Sequence, residues 1–205
     1  AIERGVAWLL GMQCKNGGWA AFDKDNTSAY LTKLPFSDFG ETLDPPSADV
    51  TAHIVEMFGK LGYQKDFAPL RRAYDYIRRE QEDNGSWFGR WGVNYVYGVG
   101  AVLPGLAAIG EDMDQPYIRR AVDWLLACQN PDGGWGESCG SYVDPELHGV
   151  GPSTASQTAW ALLALLAAGE EACAAVGRGV NYLVSNQGDG GCWEEPYFTG
   201  TGFPG

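Results

Sequence analysis

Four ungapped segments of this chain follow one template: "RGVAWLLGMQCKNGGW" (4–19), "RAYDYIRREQEDNGSW" (72–87), "RAVDWLLACQNPDGGW" (120–135) and "RGVNYLVSNQGDGGCW" (178–193). Each opens on Arg, with an aromatic four residues later, Gln nine later and Trp fifteen later. A chain repeated in this way builds its fold by stacking one unit on itself, which limits the architecture more than any other feature here. The Arg-to-Gln part has helical spacing. In the third copy Ala121, Trp124, Leu125 and Cys128 fall at i, i+3, i+4 and i+7, the apolar face of an amphipathic helix. The Asn/Asp-Gly step after Gln predicts a stop, because Gly accepts the left-handed backbone that ends a helix.

More apolar helices alternate with these. Ser47, Asn94 and Ser153 are expected N-caps for segments that run to Gly62, Gly110 and Gly169. Gln to Gln runs 68, 48 and 58 residues, yet N-cap to the next Gln runs 34, 35 and 34. All the length variation therefore lies between a Trp and the following apolar helix. The constant part is a helical hairpin, and the variable loops gather at one end of the array, where function is most often carried. One polar-faced and one almost wholly apolar helix per unit predict two layers, with the apolar helix inside. The fold class expected is all-α: an (α/α) barrel or toroid of repeated hairpins, of which residues 1–205 form a single domain covering roughly half the barrel. The Gln amide is expected to bond backbone groups at a helix end, and the Trp plate to clip neighbouring hairpins together.

Composition removes several function classes. The net charge of −12 and the absence of a basic run argue against a nucleic-acid partner. The most apolar stretch, "TAWALLALLAAG" (158–169), is too short to span a bilayer. Five dispersed cysteines without a CxxC read as reduced thiols. Cys139 and His148 share a loop but lack the convergent spacing of a zinc site, so no metal and no cofactor are expected.

The Q-x5-W repeat with its upstream Arg resembles the QW motif of squalene-hopene cyclases and related triterpene cyclases. The stretches "GWAAFDKDNTSAY", "PFSDFGETLDPPSADVTAH", "GSWFGRWGVNYVYG", "QNPDGGWGESCGSY", "STASQTAWAL" and "EPYFTGTGFPG" extend the resemblance over essentially the whole chain. It implies the α/α-barrel fold and a cyclase of squalene or a related polyprenoid, an isomerase that starts by protonating a terminal double bond. The family's acid is the middle Asp of a D-x-D-D stretch, and these 205 residues hold none; "DKDN" (23–26) comes nearest and reads as a loop. The rest of a longer cyclase chain would supply the acid, and the fragment alone is expected to be inactive.

The resemblance also assigns residues. Asp49 and His53, four apart on an inner helix, would hold and sharpen the acid, since an imidazolium beside a carboxyl lowers its pKa. Tyr97 would join them. Trp91 would face early cationic centres and Phe203 later ring cations. Phe22 stands where some members have Tyr, and Phe36 and Phe39 flank Ser37 at the substrate entrance. Aromatic walls suit this chemistry: a desolvated π-face stabilises a cation by about 2 kcal/mol or more and is almost no base. The resemblance further implies homodimers in the cytoplasm, attached to a membrane peripherally (monotopically) through segments mostly outside this chain. Alternatives from the residues alone are a non-catalytic hairpin module that binds lipid or serves as a scaffold, and a barrel like the zinc-dependent protein prenyltransferases.

Overall fold

A computed structural model describes residues 1–28, 30 and 43–200. Among the described residues seven α-helices alternate between two layers. The outer helices are α1 (Ile2–Met12), α3 (Ala68–Arg79), α5 (Pro116–Ala127) and α7 (Ala174–Asn186). The inner helices are α2 (Ala48–Lys60), α4 (Tyr95–Ala108) and α6 (Ala155–Ala167). Two short 3-10 turns, Cys139–Tyr142 and Pro145–Leu147, lie in the loop before α6. Among the described residues the extended pairing is confined to isolated bridges, such as Trp19 with Ser47 and Trp135 with Thr154. No described helix is long and apolar enough to cross a membrane.

The inner helices pack side by side through small residues. A Cβ on Gly105 of α4 would stand 2.7 Å from the Ala52 carbonyl oxygen of α2, and one on Gly59 2.5 Å from that of Ala108. Only glycine permits this approach, so the "YVYGVGAVLPGLAAIG" stretch spends helix propensity to bring backbones together. Gly62, Gly110 and Gly169 all have positive φ. Each closes an inner helix in the same way: Tyr63 N donates to Phe58 O, Glu111 N to Leu106 O and Glu170 N to Leu165 O.

The outer helices end differently from expectation. Their glycines Gly17, Gly85, Gly133 and Gly191 are left-handed, but they sit four residues beyond the Gln, in the turn that leads to the Trp. The turn is the same four times, with Gly17 N donating to Cys14 O, Gly85 N to Glu82 O, Gly133 N to Asn130 O and Gly191 N to Gly188 O. The helix stops because the Gln amide takes the glycine's carbonyl, at 2.8 Å for Gln13, Gln81 and Gln129 and 2.9 Å for Gln187.

The same amide reaches the next hairpin. Gln13 donates to Pro69 O, Gln81 to Tyr117 O and Gln129 to Ala175 O, each at 2.8 Å. The Arg that opens the next copy returns the bond to the Gln oxygen: Arg72 to Gln13, Arg120 to Gln81 and Arg178 to Gln129. The Trp indole N–H closes the unit on its own outer helix, Trp19 on Leu9 O, Trp87 on Ile77 O and Trp135 on Leu125 O. These three rings are 1, 0 and 0 % exposed, whereas Trp193 on the last copy is 39 % exposed. The fastening role read from the repeat therefore holds where a further copy follows. At the two ends of the array α1 buries no residue, and Val180 and Val184 of α7 are exposed.

The third inner helix starts one residue later than expected. Thr154, not Ser153, is its N-cap and accepts from Gln157 N. The bridge from Trp135 fixes this, just as the bridge from Trp19 fixes Ser47.

Candidate active site

The inner helices can be set in register by the residue that holds each Trp. Trp19 N donates to Thr51 Oγ1 at 2.9 Å and Trp135 N to Thr158 Oγ1 at 3.0 Å. In the middle copy a Cβ at Gly98 would lie 2.0 Å from the Trp87 carbonyl oxygen. Thr51, Gly98 and Thr158 are thus equivalent. Two residues on, His53, Gly100 and Trp160 share one level of the inner layer. Gly100 makes room for its neighbour, since a Cβ there would meet Trp160 Cβ at 2.7 Å.

At this level the three expected acid-site residues come together. Asp49 is fully buried in the first turn of α2. His53, one turn on, is exposed on the inner helix, and its Nε2 lies 3.3 Å from the Tyr97 hydroxyl. Burial raises the Tyr97 phenol pKa above the usual 10.0. The Asp49 charge nearby raises it further. Tyr97 thus stands near both: its hydroxyl meets His53, and the Asp49 charge acts on its phenol. The Tyr97 ring also packs on Trp160, with centroids 4.8 Å apart. Asp49 Oδ2 accepts from Trp91 N at 3.1 Å, which ties the Trp91 loop to the same carboxylate.

Trp91 is a half-buried ring with neighbours on the open side. Phe22, itself exposed, meets it edge-on at 5.6 Å, and the Arg90 guanidinium lies 5.8 Å from the ring. Phe22 is held through its backbone: the buried Asp44 carboxylate accepts from Phe22 N and Asp23 N, both at 2.6 Å. The Tyr142 hydroxyl, 2.9 Å from Gly92 O and 3.2 Å from Gly89 O, pins the loop that carries Trp91. On the other side Val93 N donates to Thr199 O, and Gly92 bridges to Gly200. Phe36, Ser37, Phe39 and Phe203 lie outside the described residues.

Sequence reasoning missed Trp160, Tyr142, Asp44 and Glu137. Trp160 had a usable signal, because it stands in register with His53 once the inner helices are aligned on Thr51 and Thr158. Setting the cap at Ser153 hid that by one residue. The other three act through backbone amides and carbonyls far away in sequence, so nothing local marks them. Among the described residues no group of three His, Cys, Asp or Glu is placed to hold a metal.

The buried phenols have a measurable consequence. Burial raises Tyr95 to about 12 and also lifts Tyr76, Tyr97 and Tyr142 above the ordinary 10.0. A raised folded-state value means that the unfolded chain loses these protons first as pH rises. Stability is then fully present below about pH 10 and declines above it. Urea midpoints should be level from pH 8 to 9.5 and fall beyond 10, and Tyr97→Phe should lessen the fall. A midpoint independent of pH up to 11.5 would contradict the burial of these hydroxyls.

The family model described as the squalene-hopene cyclase C-terminal domain matches residues 1–205. A squalene–hopene cyclase of Alicyclobacillus acidocaldarius is 58 % identical over 205 residues, covering 100 % of this chain and 32 % of that protein. A dammaradiene synthase of Dryopteris crassirhizoma is 46 % identical over 227 residues, covering 100 % and 33 %. The chain thus spans about a third of the length of these relatives. Among solved structures, a variant of the type II terpene cyclase MstE from Scytonema, in complex with geranylgeranyl dihydroxybenzoate, aligns with a TM-score of 0.66 and 26 % identity. That alignment covers 94 % of this chain and 50 % of MstE. An MstE structure without ligand gives a TM-score of 0.65 at 24 % identity, covering 94 % and 51 %, a likeness of fold alone. Four QW repeats, three apolar inner helices and a match along its whole length establish that the chain belongs to the squalene-hopene cyclase family, as the C-terminal domain.

Proposed function

We propose that this chain is the part of a squalene cyclase that holds and tunes the initiating acid and walls the early stages of the reaction. The observation that carries the reading is the Asp49–Tyr97–His53 set, with His53 Nε2 3.3 Å from the Tyr97 hydroxyl and Trp160 against the same phenol. A carboxylic acid from chain outside these 205 residues protonates a terminal C=C bond of squalene or a related polyprenoid. Its proton adds to one carbon, and the other becomes a cation. Neighbouring double bonds then attack in turn, each forming a C–C bond and moving the charge along. Loss of a proton at the end restores neutrality, so the product is an isomer of the substrate. His53 is assigned the place beside that acid, where a protonated imidazole lowers a carboxyl pKa. Trp91, Phe22 and, on the resemblance, Phe203 stabilise cations without removing their protons. Phe36, Ser37 and Phe39 are assigned to the entrance. On the same reading the whole protein is a homodimer attached peripherally to a membrane, and the remainder of the cyclase chain completes the hollow. The relatives named for different products, squalene–hopene cyclase and dammaradiene synthase, leave hopanoid as the favoured product class by identity, 58 % against 46 %.

The test is product analysis by gas chromatography on squalene dispersed in detergent. A complete cyclase containing this chain should give a pentacyclic triterpene, and the purified 205-residue chain should give none. Cyclised product from the 205 residues alone would refute the division of labour. Squalene left untouched by the complete protein would refute the activity.

A further inference from the structure

The first turn of each inner helix leaves amide groups without a partner inside the helix, and these must be met from elsewhere. In α4 the partner is remote: Asn94 N and Val96 N both donate to Glu137 Oε2, at 3.2 and 2.8 Å. In α6, Ser156 N donates to Glu195 Oε1 at 2.5 Å and Ser156 Oγ to Oε2 at 3.0 Å. Val96 and Ser156 are equivalent positions, each two residues past the N-cap, and Glu137 and Glu195 each stand two residues past the clip Trp. The loop of one hairpin therefore caps the inner helix before it. In the remaining copy the polarity is inverted. The residue two past Trp87 is Gly89, the α2 position is Asp49, and the loop supplies a donor, Trp91 N, to that carboxylate. The site's carboxylate thus sits where its two sister helices receive theirs from a loop.

From this pattern we infer that Glu137 is a positioning residue for Tyr97, setting the first turn of α4 so that the phenol stands between Asp49 and His53. Tyr97 follows Val96 directly, so the carboxylate that holds Val96 N holds the base of the tyrosine. Glu137 has no freedom to move. It is 4 % exposed. Its backbone N–H donates to Gln157 Oε1 at 3.0 Å, and Gln157 Nε2 donates to both Glu137 O and Val93 O. Asn94 Nδ2 donates to Ser141 Oγ, locking the same corner. Burial pushes the Glu137 carboxyl up, and the amides of Val96, Gly149 and Asn94 draw it back, as expected for a carboxylate at a helix N-terminus. Displacement by about 1 Å in a reacting assembly can cost about 100-fold in rate, and the His53–Tyr97 contact at 3.3 Å has little slack.

The assignment rests on the proposed cyclase function for its kinetic arm only. In the complete cyclase, Glu137→Gln removes the charge that faces the first turn of α4, leaving only a neutral amide oxygen to accept from the two backbone N–H groups. It should lower kcat about 10-fold or more, with KM within about 2-fold. On a Tyr97→Phe background the same change should add less than about 2-fold, because a residue acting through the phenol has nothing left to position. Wild-type kcat in Glu137→Gln, or an undiminished loss on the Tyr97→Phe background, overturns it. A second arm needs no turnover: the 19F resonance of 3-fluorotyrosine at position 97 should move in Glu137→Gln and stay put in the exposed Glu146→Gln. An unmoved resonance overturns the assignment. A moved resonance in a protein that makes no cyclised product would sink the cyclase reading and leave Glu137 in its role. Should the Gln variant fail to fold, Glu137→Asp, which draws the charge back by one methylene, should move the same resonance; an unmoved signal there also overturns it.

Discussion

His53→Ala in the complete cyclase is expected to lower the rate of product formation by about 100-fold or more, within the range that general acid catalysis contributes. The substitution removes the one imidazole that meets Tyr97, at 3.3 Å. On the proposed mechanism it also removes the group whose protonated form strengthens the acid. A carboxyl group with ordinary acidity protonates an alkene poorly, and in an oily site burial weakens it further. An imidazolium opposes both effects. The fold should survive, because His53 is exposed on the inner layer and its loss opens no packed cavity. Melting within about 3 °C of the parent, together with the lost turnover, would separate chemistry from stability. His53→Gln keeps a hydrogen bond to Tyr97 without the charge, and its rate should fall nearly as far. Wild-type turnover in either variant would remove His53 from the acid network.

Trp135→Ala should be the most damaging change to the fold itself, by about 3–5 kcal/mol. The ring is fully buried and its N–H donates to Leu125 O at 2.8 Å, while its backbone N–H bonds Thr158 Oγ1. For a domain of this size that loss lowers the melting temperature by about 10 °C or more. Trp193→Ala makes the same chemical change in the fourth copy. Its ring is 39 % exposed, though it makes the equivalent bond to Leu183 O, so in the 205-residue chain its loss should be far smaller. Thermal unfolding followed by circular dichroism compares the two. Equal losses would mean that the Trp stabilises only its own helix end, and the clip between hairpins would have to be abandoned.

The contrast between the two tryptophans also shows how much of the fold was readable. Copies of the template at 4–19, 72–87, 120–135 and 178–193 made the hairpin unit plain, and the constant distance to the next Gln placed the variable loops together. The clip's actual wiring was not readable. Arg and Gln lie nine apart on one helix, but Arg72 bonds Gln13, 59 residues away, and Arg178 bonds Gln129, 49 away. Periodicity reports which side of a helix is oily; it carries no label saying which copy a polar group will meet.

The candidate site divides along the same line. The sequence by itself determined the repeat unit, the all-helical class, the alternation of amphipathic and apolar helices, and, by resemblance, the choice of Asp49, His53, Tyr97, Trp91 and Phe22. Only the tertiary structure decided that the Tyr97 hydroxyl meets His53, that Trp160 completes their level, and that Glu137 and Asp44 hold the backbone beneath Tyr97 and Phe22. The physical reason is that helix formation and burial are set by neighbours within two turns, which a sequence displays. Satisfying a buried amide or carboxylate depends instead on which distant segment the stacking of hairpins brings within 3 Å.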